Sequence, residues 1–264
     1  MTKQDKRGVT ILVIPDSHAK PGVPNDRYDW LAKLILDRKP DVVVELGDFA
    51  DMASLSSYDT GTVLAENKRL HEDIAWAVDA RMRLTMPILR LAEKHKKQKR
   101  KPYKPRMVAL GGNHENRICR VMNATPNLQG MWDQDVSGAI DLGWEFFPFG
   151  EIAKIHGINF CHYFKKPGQS KGYSGKYVTQ HLNTNLMESS IQGHTHQFSY
   201  ACQTSQLGKR IISIVAGCYF DHHEHYAGND NNSWWRGVVI LHNVVDGVFE
   251  VEQIGMETIK RRYA

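Results

Sequence analysis

The sequence predicts an α/β fold in which two mixed β-sheets pack face to face and helices cover their outer faces. Two observations carry this. Residues 9–46 read as buried strand, amphipathic helix and buried strand, the β-α-β order that yields a parallel pair. Residues 144–254 instead hold a series of short β-like runs, with Gly157 and Asp246-Gly247 where hairpin turns fall, the pattern of a largely antiparallel set.

Each element has its own warrant. Val9–Ile14 is apolar on both faces, as a strand covered on both sides must be. Asp26–Arg38 follows as a helix with Trp30, Leu31, Leu34 and Ile35 on one side, ended by Pro40. Residues 42–46 form the second buried strand. Residues 63–97 carry long helical periodicity through Leu70, Ile74, Ala77, Val78, Met82, Ile88 and Leu91, which Pro87 is expected to kink or split. A basic run occupies 95–101, with Lys104 and Arg106 beyond it. Residues 107–110 make a third buried strand and 116–123 a short helix. Strands are then expected at 144–149, 151–156, 158–163, 189–192, 198–204, 210–216, 238–243 and 248–254, with a helix at 174–186.

The 264 residues allow one large or two small domains. No Pro/Gly/Ser-rich linker divides them, so the chain reads as one domain, 1–264, with a helical insertion at about 59–106. A net charge of +5 permits an anionic partner without identifying one. Cys119, Cys161, Cys202 and Cys218 form no CxxC pair, which argues against a zinc ribbon or a disulfide-stapled secreted fold and for a reducing, cytoplasmic setting. No apolar run approaches the ~20 residues that span a bilayer. The apolar stretch near the start runs directly into Asp16 and His18, so a cleaved leader is not expected.

Four polar islands interrupt the pattern: Asp16-Ser17-His18; Gly47-Asp48, extended by Asp51; Gly112-Asn113-His114-Glu115; and Gly193-His194-Thr195-His196. Each follows an apolar, β-branched run. That places it at the carboxyl end of a strand, where open α/β sheets gather their ligands. Asp, Asn and His bind divalent cations through oxygen and nitrogen. Alone, each island is a helix cap or a turn; four in this order point to a metal site.

In residue type and order the islands resemble the calcineurin-like metallophosphoesterase superfamily, whose pattern is DxH, GDxxD, GNH(D/E), a lone His and GHxH. The resemblance implies a sheet sandwich with a centre of two divalent cations at one edge, manganese being favoured over zinc, iron or magnesium. It implies Asp16, His18 and His196 on one cation, Asn113, His162 and His194 on the other, and Asp48 as the bridge. His162, at the end of a strand, takes the place of the lone His; His156 precedes a hairpin glycine and His181 falls within a helix. His114 is implied as the general acid, with Asp51 accepting a hydrogen bond from its far nitrogen, and Glu115 as structural. The reaction implied is attack on a phosphoester by a hydroxide that bridges the cations.

The substrate class rests on departures from the pattern. Met52 stands where protein phosphatases of the superfamily carry an arginine, which counts against a monoester dianion. Arg117 and Arg236 are candidates to replace it. Lys165 and Lys166, on a glycine-rich loop that continues to Lys171 and Lys176, are further candidates, as is His222 in the cluster Asp221-His222-His223-Glu224-His225. Trp234-Trp235 is a stacking platform or, more simply, core packing. The basic run 95–101 is either a solvated helix end or a nucleic-acid contact. The expected activity is phosphodiester hydrolysis on DNA or RNA, with no membrane partner. A phosphomonoesterase, nucleotide or protein phosphatase with the same centre, and a non-catalytic scaffold, are the alternatives. Oligomeric state is not legible.

Overall fold

In the computed structural model, which describes residues 8–58, 61–169 and 171–264, β1 (Val9–Ile14) and β2 (Val42–Glu45) pair in parallel across α1 (Asp26–Arg38), with Ile11 opposite Val42. This is the expected β-α-β unit. Lys39 ends α1 in the left-handed conformation, its N–H returning to Ile35 O. α2 (Leu70–Lys97) leads to β3 (Arg106–Leu110), parallel to β2, and α3 (Asn116–Ala124) leads to β4 (Glu145–Phe147).

The remaining elements are β5 (Ala153–Ile155), β6 (Ile158–Phe160), α4 (Val178–Leu186), β7 (Ser190–Gln192), β8 (Phe198–Thr204), β9 (Arg210–Ala216), β10 (Gly237–Val245), β11 (Val248–Gly255) and α5 (Met256–Tyr263). Sheet 1 has the order β11-β10-β1-β2-β3-β4, and sheet 2 the order β5-β6-β7-β9-β8. Both are mixed. β10 joins β1 antiparallel, while β6-β7 and β7-β9 are parallel pairs inside sheet 2.

Strand alternation explains the layering. Leu12 and Ile14 of β1 pack with Leu31, Leu84 and Ile259 on the helix side of sheet 1. Ile11 and Val13 face the other way, into a core shared with Phe160, Ile191 and Ile214 of sheet 2. The outer face of sheet 2 is covered by Val178 and Leu182 of α4. The order of layers is helices, sheet 1, sheet 2, helix.

The long helix departs from expectation. It does not split at Pro87: α2 runs unbroken from Leu70 to Lys97, while residues 63–65 form a separate 3-10 turn. Leu84, Thr85 and Ile88, around the proline, are buried against sheet 1, and Thr85 Oγ1 accepts a hydrogen bond from Trp144 Nε1 at 3.0 Å. Packing on both sides of Pro87 holds the helix through it. Residues 59 and 60, at the start of the expected insertion, lie outside the described residues.

Candidate metal centre

Asp16 and His18 follow β1, Asp48 follows β2, Asn113 and His114 follow β3, His162 follows β6, and His194 and His196 follow β7. The backbone at this edge is strained. His18, Asp48, His194 and His196 hold φ at 44°, 50°, 70° and 57°, in the left-handed region that non-glycine residues avoid and that concentrates at functional sites. Two glycines permit close approach: a Cβ on Gly112 would lie 2.1 Å from Asp48 Oδ1, and one on Gly193 2.1 Å from Asp16 Oδ1. Through these gaps His114 N–H reaches Asp48 Oδ1 at 2.9 Å, and His194 N–H reaches Asp16 Oδ2 at 2.9 Å.

With Oδ1 so occupied, Asp48 presents Oδ2 to the centre. It lies 3.3 Å from His162 Nε2, 3.8 Å from His114 Nε2 and 3.9 Å from His18 Nε2. Asp16 Oδ2 is 3.1 Å from His196 Nε2, and Asn113 Oδ1 is 2.9 Å from His162 Nε2. Asp16, His18 and His196 gather their ligand atoms within 4.8 Å of one another; so do Asp48, His162 and His194, and so do His18, Asp48 and His114.

These residues fit two cations. His18 is fully buried, yet its Nε2 has no hydrogen-bond partner. Such an orphan in a native interior calls for an ion or water to satisfy it. Imidazoles, two carboxylates and one amide oxygen form a mixed N/O set that suits borderline or hard divalent ions.

Buried polar contacts hold the ligands. Asp51 Oδ1 lies 3.2 Å from His18 Nδ1 and 3.0 Å from His114 Nδ1, and the main-chain O of Asp51 lies 2.7 Å from His114 Nδ1, so Asp51 orients both rings. Glu115 accepts N–H groups from Asp48 at 3.1 Å, Ala50 at 2.7 Å and Gly112 at 2.8 Å, locking the second island to the third. Arg27 donates to Ser17 O at 2.9 Å and fixes the first. Lys20 Nζ stands 3.9 Å from Asp51 Oδ2 and 2.5 Å from Glu224 Oε1. Arg27 and Lys20 carry no sequence signal for this role; Glu224 lies in the His-rich cluster 221–225, and Glu115, beside a motif histidine, could be read as structural.

The electrostatics of the metal-free centre follow from burial and mutual charge. Burial raises the carboxyl of Asp48, but the charges of His114 and His162 draw it well below the usual carboxylate range. Asp51 also ends well below that range, because hydrogen bonds from His114 and His18 outweigh its burial. Burial lowers His162, yet Asp48 and Asp16 push it up to about 10. His194 falls to about 4 through burial and the charge of His162. The carboxylates require positive charge, which protonated imidazoles provide when no cation does.

The other candidates scatter. Arg117 is buried and tied down, donating to Asp51 O at 2.8 Å and Met52 O at 3.2 Å, with Nη2 3.2 Å from His114 Nε2. Lys165 Nζ lies 5.5 Å from the centre of the Phe149 ring, which neighbours His162. Lys166 lies over Tyr173, on the α4 side of sheet 2. His222 contacts Glu224 at 2.7 Å and stacks on Phe220, whose ring touches His18 and His196. Arg236 donates to Asn231 O, while its Nε and Nη2 are buried without a partner. The side chain of His225 lies outside the described ones. Trp235, half-buried, packs on Phe198 against the core, and Trp234, also half-buried, packs edge-on against His196. His156 lies in the turn between β5 and β6 and His181 on the exposed side of α4.

The basic run is at the opposite end of the sheet. Arg106 opens β3 opposite Val42, the first residue of β2, and Tyr103 donates to Pro40 O. The ligands all follow the last residues of these strands.

No family model matches the chain, and no curated protein matches it. Among solved structures, the fold is similar to that of YfcE, a phosphoesterase from E. coli, with 13% identity, 94% of this chain and 99% of that chain covered, and a TM-score of 0.38. It is also similar to TT1561 of Thermus thermophilus, with 9% identity, the same coverage of 94% and 99%, and a TM-score of 0.37.

Proposed function

We propose that this chain is a two-metal phosphoesterase that hydrolyses phosphodiester bonds, with DNA or RNA as its substrate class and manganese as its metal. The observation that carries the reading is Asp48 Oδ2, buried and faced by His162, His18 and His114 at 3.3 to 3.9 Å, between two groups of ligand atoms. Asp16, His18 and His196 would hold one cation, Asn113, His162 and His194 the other, and Asp48 both. Bound there, two divalent cations would supply Lewis acidity, drawing charge from the phosphate and activating the attacking water.

The protein's own part is positioning and proton transfer. Asp51 holds Nδ1 of His114 and leaves Nε2 toward the centre, as a general acid for the departing alkoxide requires. In the metal-free centre burial lowers the pKa of His114, but Asp48 and Asp51 raise it above the ordinary value. Arg117 Nη2, a donor, meets Nε2 of His114 at 3.2 Å. The contact suits only a neutral ring with its proton on Nδ1. Arg117 is held in this position by the hydrogen bonds of Nη1 to Asp51 O and Met52 O.

Met52, in place of a phosphate-clamping arginine, is fully buried. That supports a diester, whose single charge two cations can hold, over a monoester dianion. The unpaired cysteines fit a reducing, cytoplasmic setting, and the core shared by the two sheets fits one domain of residues 1–264. Among the described residues no helix is long and apolar enough to cross a membrane. The test is a substrate panel after metal stripping and reloading with Mn²⁺. Bis-p-nitrophenyl phosphate and a labelled oligonucleotide are expected to be cleaved faster than p-nitrophenyl phosphate. Strong monoester turnover without diester cleavage overturns the diester assignment, and a metal-loaded protein inert on all three overturns the enzyme.

A further inference from the structure

We infer that the amino end of sheet 1 is a second, non-catalytic surface that binds a nucleic-acid backbone. Lys94, Lys96, Lys97, Lys99, Arg100, Lys101 and Lys104 are all exposed, and among the described residues none has a carboxylate within ion-pair distance. Residues 94–106 contain no acidic side chain, and these seven cations exceed the net charge of +5 of the entire chain. Stabilisation of a helix terminus does not account for them. The helix dipole acts within the last turn, and Lys99, Arg100, Lys101 and Lys104 lie beyond α2.

The segment is also held in place. Pro105 is buried and Tyr103 hydrogen-bonds to Pro40 O at 2.9 Å, so the cations are displayed from a fixed loop. An open groove of about 550 Å³ adjoins them, lined by Arg90, Lys94 and Lys97 with Met86 and Leu89, and by one carboxylate, Glu93. A single-sign array of this kind suits a chain of phosphates spaced ~3.4 Å apart, whose counterions it displaces. Between residues 94 and 104 the exposed side chains bring no large apolar group to anchor in a bilayer.

The surface is remote from the metal centre. Asp73, which accepts Ser54 N–H near Asp51, and Lys97 are separated by roughly 36 Å of helix at ~1.5 Å per residue. Binding there is separable from hydrolysis. It shares with the functional reading only the class of ligand, so its test is independent of whether the centre cuts phosphoesters.

The experiment is fluorescence anisotropy of a labelled 20-nucleotide DNA strand and of its duplex, in EDTA to prevent cleavage, from ~50 to 200 mM salt. The parent chain is compared with the variant carrying K97Q, K99Q, R100Q and K101Q, and both are checked for equal melting temperature. Loss of about three to four phosphate contacts should weaken duplex binding at least ~10-fold and reduce the slope of log K against log[salt] by about 3. Bis-p-nitrophenyl phosphate turnover, where present, should stay within about twofold. Equal affinity and slope for parent and variant overturn the inference. So does selective binding of vesicles containing phosphatidylserine, or of a poly-glutamate peptide, without binding of either DNA.

Discussion

At the carboxyl end of sheet 1, the carboxylates of Asp16, Glu45, Asp48, Asp51 and Glu115 are all buried, and each meets histidine, arginine or backbone N–H groups. At the amino end, Lys94, Lys96, Lys97, Lys99, Arg100, Lys101 and Lys104 stand in water, and among the described residues none of them meets a carboxylate within ion-pair distance. The same strands separate the two. Burial of an ionised group is unfavourable by several kcal/mol unless partners compensate, so only the carboxyl end bears the mark of a constructed site: left-handed backbone, glycine gaps and interlocked carboxylates. Exposed lysines carry no such requirement and no such geometry. A charge run in sequence and a ligand motif in sequence are therefore different kinds of signal.

The sharpest break in that contrast would come from Asp48→Asn. The change keeps Oδ1 available to His114 N–H but removes the charge that faces three imidazoles. Metal content measured by mass spectrometry should fall, and turnover should drop on the order of 10³-fold or more, beyond the 10–100-fold typical of groups that only support ligands. Full metal occupancy in this variant would remove the bridge from the reading.

A second comparison uses pH. Burial raises Glu45 from 4.5 to about 7 despite Arg81 at 3.1 Å. Between pH 4.5 and 7 the folded chain therefore binds a proton that the unfolded chain has lost, and this group makes stability fall as pH rises, with no further loss above about 7. Glu45→Gln removes the dependence. Whatever offset the altered Arg81 contact adds, the stability of the variant relative to the parent, both metal-stripped, should rise by about 3 kcal/mol across that window. Parallel urea denaturation curves at the two pH values, with a constant difference, would contradict a proton on Glu45.

His114→Ala separates catalysis from metal retention. His114 approaches Asp48 Oδ2 at 3.8 Å, and its ring is oriented by Asp51. If it serves as the general acid, metal content should persist while turnover falls about 100-fold. Simultaneous loss of metal would make His114 a ligand, a role its grouping with His18 and Asp48 also allows.

How much of this was legible depends on the range of the interaction. β1, α1 and β2 were readable to within a residue or two because their apolar pattern is local. The convergence of Asp16, Asp48, Asn113, His162 and His194 was readable because each island ends a strand, and strand ends gather where the sheets meet. Arg27, Lys20 and Glu224 were not readable. Their roles come from contacts such as Lys20 with Glu224, about two hundred positions apart, and even the His-rich cluster around Glu224 did not say which charge it would meet. Pro87 does not split the helix, because Leu84 and Ile88 on either side of it are buried, which its local effect does not reveal. The basic run was visible, but its distance from the centre was not, since position along the chain does not say which end of a sheet a helix reaches.

The smallest effect is expected at the amino end, where Arg106 pairs with Glu145 at 2.7 Å in an exposed bidentate contact. The hydrogen bonds from Arg106 hold Glu145 below its ordinary pKa. Both side chains are more than a third exposed, and such pairs contribute roughly 0–1 kcal/mol because water and salt screen them. Arg106→Ala should lower stability by less than about 1 kcal/mol, and by less still at ~1 M salt, where the Debye length is near 3 Å. Turnover of a small diester should not change, because neither partner touches a ligand. A larger loss, or one that persists at high salt, would mean that charge at this end is structurally coupled to the core, and the division between a built end and a merely charged end would fail.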